Sequence, residues 1–350
     1  MRQWGAAAIA LSLVGGFAAR ELTARQNWAP QVSGVTVTFR GVSAVDAQTA
    51  WVSGSRGTIL RTTDGGATWA SVAPVGTTAL DFRDVDAIDR TTAYALSIGN
   101  GEASRIFKTT DGGASWVTQF TNQDPDAFFD AMAFWDGRRG LAFSDSAAGR
   151  LHILRTTDGG ARWTRVDPAS LPPALDNEGA FAASGTNIAT WGTSHAWIGT
   201  GAAARARVLR TTDGGTTWAL SDSPLRAGPT SGIYSIAFRD ALHGIIVGGD
   251  YSKESEAIDN VAVTSDGGAT WQLVSGLGGF RSVVTYLPGG RGQSWLALGP
   301  SGADRSDDDG RTWTPVELPL RGLHTYSLAR DGATGWAAGG RGQILKSLWR

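Results

Sequence analysis

Short apolar runs punctuated by Gly, Asp, Ser and Thr recur along the whole chain, and little in the pattern favours a long helix. The runs come in a fixed order. A first run, such as Phe39–Val45 or Ile233–Phe238, precedes a second that ends in Gly, as in Ala50-Trp51-Val52-Ser53-Gly54 or Gly335-Trp336-Ala337-Ala338-Gly339. A third follows, for example Thr58-Ile59-Leu60-Arg61, then an eight-residue polar pattern ending in Trp, and a fourth short run starts at that Trp. The polar pattern occurs six times: TTDGGATW at 62–69, TTDGGASW at 109–116, TTDGGARW at 156–163, TTDGGTTW at 211–218, TSDGGATW at 264–271 and SDDDGRTW at 306–313. Its Trp residues are 47, 47, 55, 53 and 42 residues apart. Runs of this kind bounded by turn residues read as β-strands, and four strands per repeat of this length make one blade of a β-propeller. A seventh unit begins near Leu323 and supplies three strands, the last at 342–347. Trp28-Ala29-Pro30-Gln31-Val32 looks like Trp69-Ala70-Ser71-Val72 and Trp313-Thr314-Pro315-Val316, and Trp28 stands 41 residues before Trp69, close to one repeat. The N-terminal strand is therefore expected to complete the last blade and remove its open edge. The expected fold is all-β, a seven-bladed β-propeller over residues 27–349.

The repeated octapeptide has the chemistry of a turn. Its Asp (Asp64, Asp111, Asp158, Asp213, Asp266 and Asp308) is expected to accept backbone N–H groups two residues on. Its Gly permits positive φ, and its Trp buries a large apolar surface. Six such turns on successive blades are scaffold, and much of the excess behind the 48 Gly and 15 Trp of the 350 residues comes from the one blade written seven times. The pattern is identified as the Asp-box, or bacterial-neuraminidase repeat. The whole unit, an F-x-x-V/I-x-F-x-D strand, a G-x-x-x-G-G strand and then I-L-R-T-T-D-G-G-A-T-W, resembles the photosystem II stability/assembly factor family and its bacterial relatives over nearly all of residues 27–349. That resemblance implies an exported or lumenal propeller that binds protein segments without catalysis. Asp-box propellers also include sialidases and xyloglucanases.

Charge and the N-terminus narrow the setting. Net charge is −1, so no basic field argues for nucleic acid. Among the 31 basic residues only Lys108, Lys253 and Lys346 are lysines, an Arg excess that reads first as the mark of a GC-rich genome and matters for chemistry only locally, where the planar fork can bind a carboxylate bidentately. The absence of Cys excludes disulfides, thiolate metal sites and a Cys nucleophile. The four His (152, 195, 243 and 324) fall at unrelated repeat positions, and no cofactor or metal is expected; a calcium site near Asp124-Pro125-Asp126 and Ser144-Asp145-Ser146 is the exception weighed. Residues 1–24 combine one early Arg, an apolar run from Gly5 to Ala19 and small residues after it, the layout of a secretory signal peptide. An uncleaved N-terminal anchor is the alternative. A periplasmic or extracellular monomer, at most peripheral to the membrane, is the expectation.

Function must be sought on one face of the ring. The starts of the first strands and the loops between second and third strands are expected to share a rim, opposite the boxes. Aligned first strands start Phe39-Arg40, Phe82-Arg83, Phe129-Asp130, Phe181-Ala182, Ile233-Tyr234, Phe280-Arg281 and His324-Thr325. Arg281, Arg40 and Arg83 would then lie on one side of the channel mouth with Asp130 next, a cluster for a carboxylate or phosphate. Their alternative role is pairing with Asp84, Asp86 or Asp130 as a channel lining. The longest insertion between second and third strands, 249–260, adds Asp250 and Tyr251 to the candidate ligand-binding set, with Tyr234 beside them. Glu178–Thr186 departs from the first-strand pattern, its small residues reading as space left at the channel. The expected partner is a protein segment or an anionic or carbohydrate ligand. In the alternative, sialidase-like reading the three Arg hold a substrate carboxylate, Tyr234 with Glu178 forms the nucleophile pair and Asp130 is the acid/base; the F-R-I-P entry motif of sialidases is absent.

Overall fold

The computed structural model describes residues 27–289 and 292–349, together with Met1. The signal segment expected over residues 1–24 lies, apart from that Met, outside the described residues. Seven four-stranded antiparallel sheets follow one another around a central channel, so the expected propeller is what the chain forms. Blade 1 comprises Phe39–Ala44, Ala50–Gly54, Thr58–Thr62 and Ala70–Ser71, innermost to outermost. The innermost strands of blades 2 to 7 are Asp81–Ala87, Phe129–Phe134, Ile188–Trp191, Ser231–Phe238, Val283–Leu287 and Leu323–Leu328. In blade 7 the outermost strand is Asn27–Val32, antiparallel to Gln343–Leu348 in the register Asn27 to Leu348 through Val32 to Gln343. The ring is thus closed by its own N-terminal strand.

The second strand of each blade is buried on both faces, which is why it reads as a continuous apolar run rather than an alternation. Trp51, Tyr94, Trp197, Trp295 and Trp336 sit there with almost no exposure, and the apolar clusters run between blades. One such cluster joins Trp51 and Ile59 of blade 1 to Phe82, Val85 and Ala95 of blade 2. Around the channel the innermost strands are laced together by short polar side chains. Ser43 accepts from Ala87 N–H, Asp86 from Phe134 N–H, Ser235 from Val284 N–H and Ser327 from Ala44 N–H, each at 3.0 Å. Every one of these bonds satisfies an edge N–H that no neighbouring strand reaches.

The boxes close the opposite face. Asp64 accepts the Thr68 N–H at 2.9 Å and the Thr68 hydroxyl at 2.6 Å, while the Thr62 hydroxyl donates to Asp64 and accepts from Gly66 N–H. The same set recurs at Asp111, Asp213, Asp266 and Asp308. The bond expected two residues on therefore runs four residues on, because the Gly pair turns the chain back over the carboxylate: Gly65 and Gly66 have φ of 73° and 89°. Asp158 keeps the backbone bond, to Arg162 N–H, with Arg162 in place of the hydroxyl residue.

Candidate functional site

The channel mouth is built by a repeated irregularity. In five innermost strands the register with the second strand shifts by one residue: between Phe39 and Gly41, Phe82 and Asp84, Phe129 and Ala131, Ile233 and Ser235, and Leu323 and Thr325. The extra residue at each shift is Arg40, Arg83, Asp130, Tyr234 or His324. A β-bulge re-aims the side chain it carries, and all five line one cavity of about 680 Å³ at the mouth. The end of the second strand of blade 3 contributes Asp145, and second-to-third-strand loops contribute Tyr251, Glu254 and Pro300, to the same lining, as the shared rim requires.

The floor comes from blade 4. Residues 179–187, which precede its short innermost strand, do not leave the channel open but cross it. Ala182 donates its N–H to Asp130 of blade 3, and its carbonyl accepts from Arg83 of blade 2 at 3.0 Å. The Ser184 hydroxyl donates to Ser282 O at 2.6 Å, and the Ser184 carbonyl accepts from Thr325 at 3.0 Å. Thr186 bonds Ser235 at 2.7 Å. Gly185, at φ 73°, lies so close to Asp84 that a Cβ would strike its carboxylate. The small residues of this stretch leave no space; they let the backbone itself plug the narrowest part of the ring. Below the plug a separate cavity of about 300 Å³ is lined by Thr186, Ser327 and Tyr326.

Charges around the upper cavity are unevenly matched. Arg83 pairs with Asp81 at 2.8 Å, not with Asp84 or Asp86. Arg40 has neither an ion pair nor a hydrogen bond among the described residues, and its Nε is shielded from solvent. Burial and then the charge of Arg83 pull its pKa down to about 10. His324, half-buried, is brought to about 3 by desolvation and then by the charges of Arg40 and Arg83, and is neutral. One wall is aromatic. Phe181 stacks on Tyr234 at 4.0 Å, Tyr251 meets both edge-on at 6.4 Å, and Phe280 packs edge-on against Tyr234 at 4.6 Å.

Arg40, Arg83, Asp130, Tyr234 and Tyr251 are therefore brought together, and three other candidates take different positions. Blade 6 has no register shift, and Val283 pairs with Leu298, so Arg281 falls one residue earlier than the alignment places it. A one-residue slip flips a strand side chain to the other face. Arg281 is buried outside the cavity, held by Asp304 at 2.6 Å and Ser301 at 2.8 Å. Asp250 caps Ser252 at 2.9 Å and stands 3.6 Å from Arg226, away from the cavity lining. Glu178 reaches the lining but is fully buried against Arg207 and Thr200. Tyr234 donates to Thr230 O at 3.0 Å, and burial raises its pKa above the ordinary value. The nucleophile pair of the sialidase reading is therefore not assembled, nor is its Arg triad. Asp124 caps Asp126 N–H and approaches Arg165 at 3.3 Å, and among the described residues no group of three or more His, Asp or Glu is placed to hold a metal. Asp145, His324, Glu254 and Phe181 line the cavity but were not among the binding candidates; His324 and Phe181 had a signal in their template places, Glu254 in the long insertion and Asp145 in the weighed calcium site.

No protein-family model matches the chain, and no curated protein matches its sequence. Solved structures do resemble it. YCF48, a photosystem II assembly factor, in a structure bound to D1 peptide, superposes with a TM-score of 0.65 at 18% identity, covering 92% of this chain and 97% of its own. YCF48 from Cyanidioschyzon merolae gives 0.61 at 18% identity, covering 91% and 98%. A catalytically inactive virginiamycin B lyase from Staphylococcus aureus with quinupristin gives 0.66 at 13% identity, covering 93% and 100%. At these identities the likeness is one of fold.

Proposed function

We propose that this chain is an exported, non-catalytic binding propeller that receives a segment of a partner protein, carboxylate first, in the cavity at the channel mouth. Arg40 carries the reading. A half-buried guanidinium with no ion pair or hydrogen bond, reached by Asp81 and Glu254 only at a distance, is poorly satisfied, and here it faces a cavity large enough for several residues of peptide. An incoming carboxylate supplies the missing partner, while the aromatic wall offers apolar area to the side chains beside it. The peptide-bound YCF48 structure supports a propeller of this architecture as a protein binder. Export rests on the character of residues 1–24.

The test uses two random hexapeptide pools, one with free carboxyl termini and one amidated. The wild-type chain should retain the free-carboxyl pool preferentially, and Arg40→Glu should abolish that preference. A charge-assisted pair of this kind is worth about 1.5–3 kcal/mol, roughly 10- to 100-fold in affinity. Equal retention of both pools by wild type overturns the reading, as does turnover of fluorogenic sialosides.

A further inference from the structure

The carboxyl pair on the blade 3 wall is not used by the reading above. Asp130 is 1% exposed yet borders the cavity, and its Oδ2 meets no donor among the described residues. Its neighbour is another carboxyl, Asp145, whose Oδ1 is occupied by Ala180 N–H at 2.9 Å. Asp130 is buried and Asp145 half-buried at the cavity wall, and two adjacent carboxyls there resist carrying two charges at once, which favours a shared proton. Burial and the charge of Asp145 push Asp130 well above the ordinary carboxylate range, and burial lifts Asp145 to about 6.

The charge balance of the whole lining points the same way. Glu178 is neutralised by Arg207 and Arg83 by Asp81, and His324 is neutral. What remains facing the cavity is Arg40 on one side against Asp126, Asp145 and Glu254, with the proton-bearing Asp130. A purely anionic ligand satisfies Arg40 and worsens everything else. The plug at 179–187 seals the floor, so no cation of the protein's own reaches the pair from below.

We infer that the Asp130–Asp145 pair is the seat of a lysine or arginine side chain of the bound segment, so that the cavity selects segments presenting a carboxylate and a cationic group together. This rests on the carboxylate-first reading of the same cavity. When the cation docks, the shared proton leaves Asp130 for solvent and both carboxylates accept N–H bonds from the ligand. No bond other than that O–H breaks. Besides the pair itself, the groups facing this position are Arg83 from blade 2, Asp126 from the connection between blades 2 and 3, the matched Glu178 and Arg207 of blade 4, and Arg40 and Glu254 from the mouth.

The free-carboxyl hexapeptide pool, sequenced after retention on the wild-type chain, should be enriched about tenfold in Lys or Arg. Asp130→Asn and Asp145→Asn should each erase that enrichment while the preference for free over amidated termini survives. A synthetic peptide from the most enriched sequence should lose about tenfold in affinity when its Lys is replaced by norleucine, a comparison made on wild type alone. Calorimetry in two buffers of different ionisation enthalpy should show a proton released near neutral pH by the lysine peptide and none by the norleucine peptide. Carboxylate-dependent retention without Lys or Arg enrichment sinks this inference and leaves the binding reading standing; absence of carboxylate-dependent retention sinks both. Enrichment that persists in both Asn variants also overturns it.

Discussion

Asp64 and Asp86 carry the same side chain and answer pH in opposite directions. The Thr68 hydroxyl and then its N–H hold Asp64 at about 2, and the Ser115 pair does the same for Asp111. Asp213 and Asp266 also reach about 2, their turn bonds outweighing partial burial. Asp86, half-buried at the channel wall, is pushed up to about 6 by desolvation despite its bond from Phe134 N–H; Asp145 is brought to the same value, and Asp84 is raised well above 3.8 by burial. An unfolded aspartate titrates near 3.8. Above that value the unfolded chain has released protons that the folded Asp86 and Asp145 still hold, so stability falls as pH rises through about 6. Below it the unfolded chain takes up protons that the box aspartates refuse, so stability falls as pH drops towards about 2. His324, whose folded imidazole refuses the proton an unfolded one takes up below about 6.5, offsets part of the alkaline-side loss, so the melting temperature should fall steeply below about pH 4 and decline gently between about pH 4 and 6. An Asp86→Asn variant should flatten the decline on the alkaline side. A plateau from pH 4 to 7 in wild type would contradict the assignment of neutral, buried carboxyls.

At the scale of elements, the bulge and the plug decide what the channel becomes. A propeller needs its innermost strands tilted and close, which leaves a narrow tube; five bulges turn residues into its mouth, and one irregular segment stops it. Gly185 is the tightest point of that segment. Gly185→Ala places a Cβ against Asp84 and asks a non-glycine residue to hold a φ of 73°, so it should cost about 2 kcal/mol or more in chemical denaturation at unchanged m-value. A neutral result would mean that residues 179–187 do not bear on the channel wall. The elements also explain what could be read in advance. Arg40, Arg83, Asp130 and Tyr234 were legible because bulges recur at one template position, so aligning repeats aligns the side chains they turn inward. Arg281 failed because blade 6 lacks the shift, and strand alternation converts one residue of slip into the opposite face. Glu254 lies in a loop, Phe181 in the segment that abandons the template, and Asp145 in an irregular strand end where the register with the third strand shifts. Without a repeat to align them to, their convergence is visible only in three dimensions.

For the molecule as a whole, repetition made the architecture legible: blade number, strand order and even the strand borrowed from the N-terminus followed from spacing. The ring is secured at that borrowed strand by more than its ladder. The Gln31 side chain accepts the indole N–H groups of Trp69 and Trp336 at 3.2 Å each and donates to Gly65 O at 3.1 Å, stitching blade 7 to blade 1. Gln31→Ala removes one acceptor from two indoles, and at about 1 kcal/mol or more for each N–H left unpaired it should lower stability by about 2 kcal/mol. Denaturation curves of the variant with an unchanged midpoint would show that the stitch is incidental. The borrowed strand also fixes a polarity for the molecule. Asn27 pairs with Leu348 at the box end of blade 7, whereas Val32, opposite Gln343, lies at the end that carries the cavity. The described chain therefore enters the ring at the rim of the box face, and the cavity opens at the opposite rim.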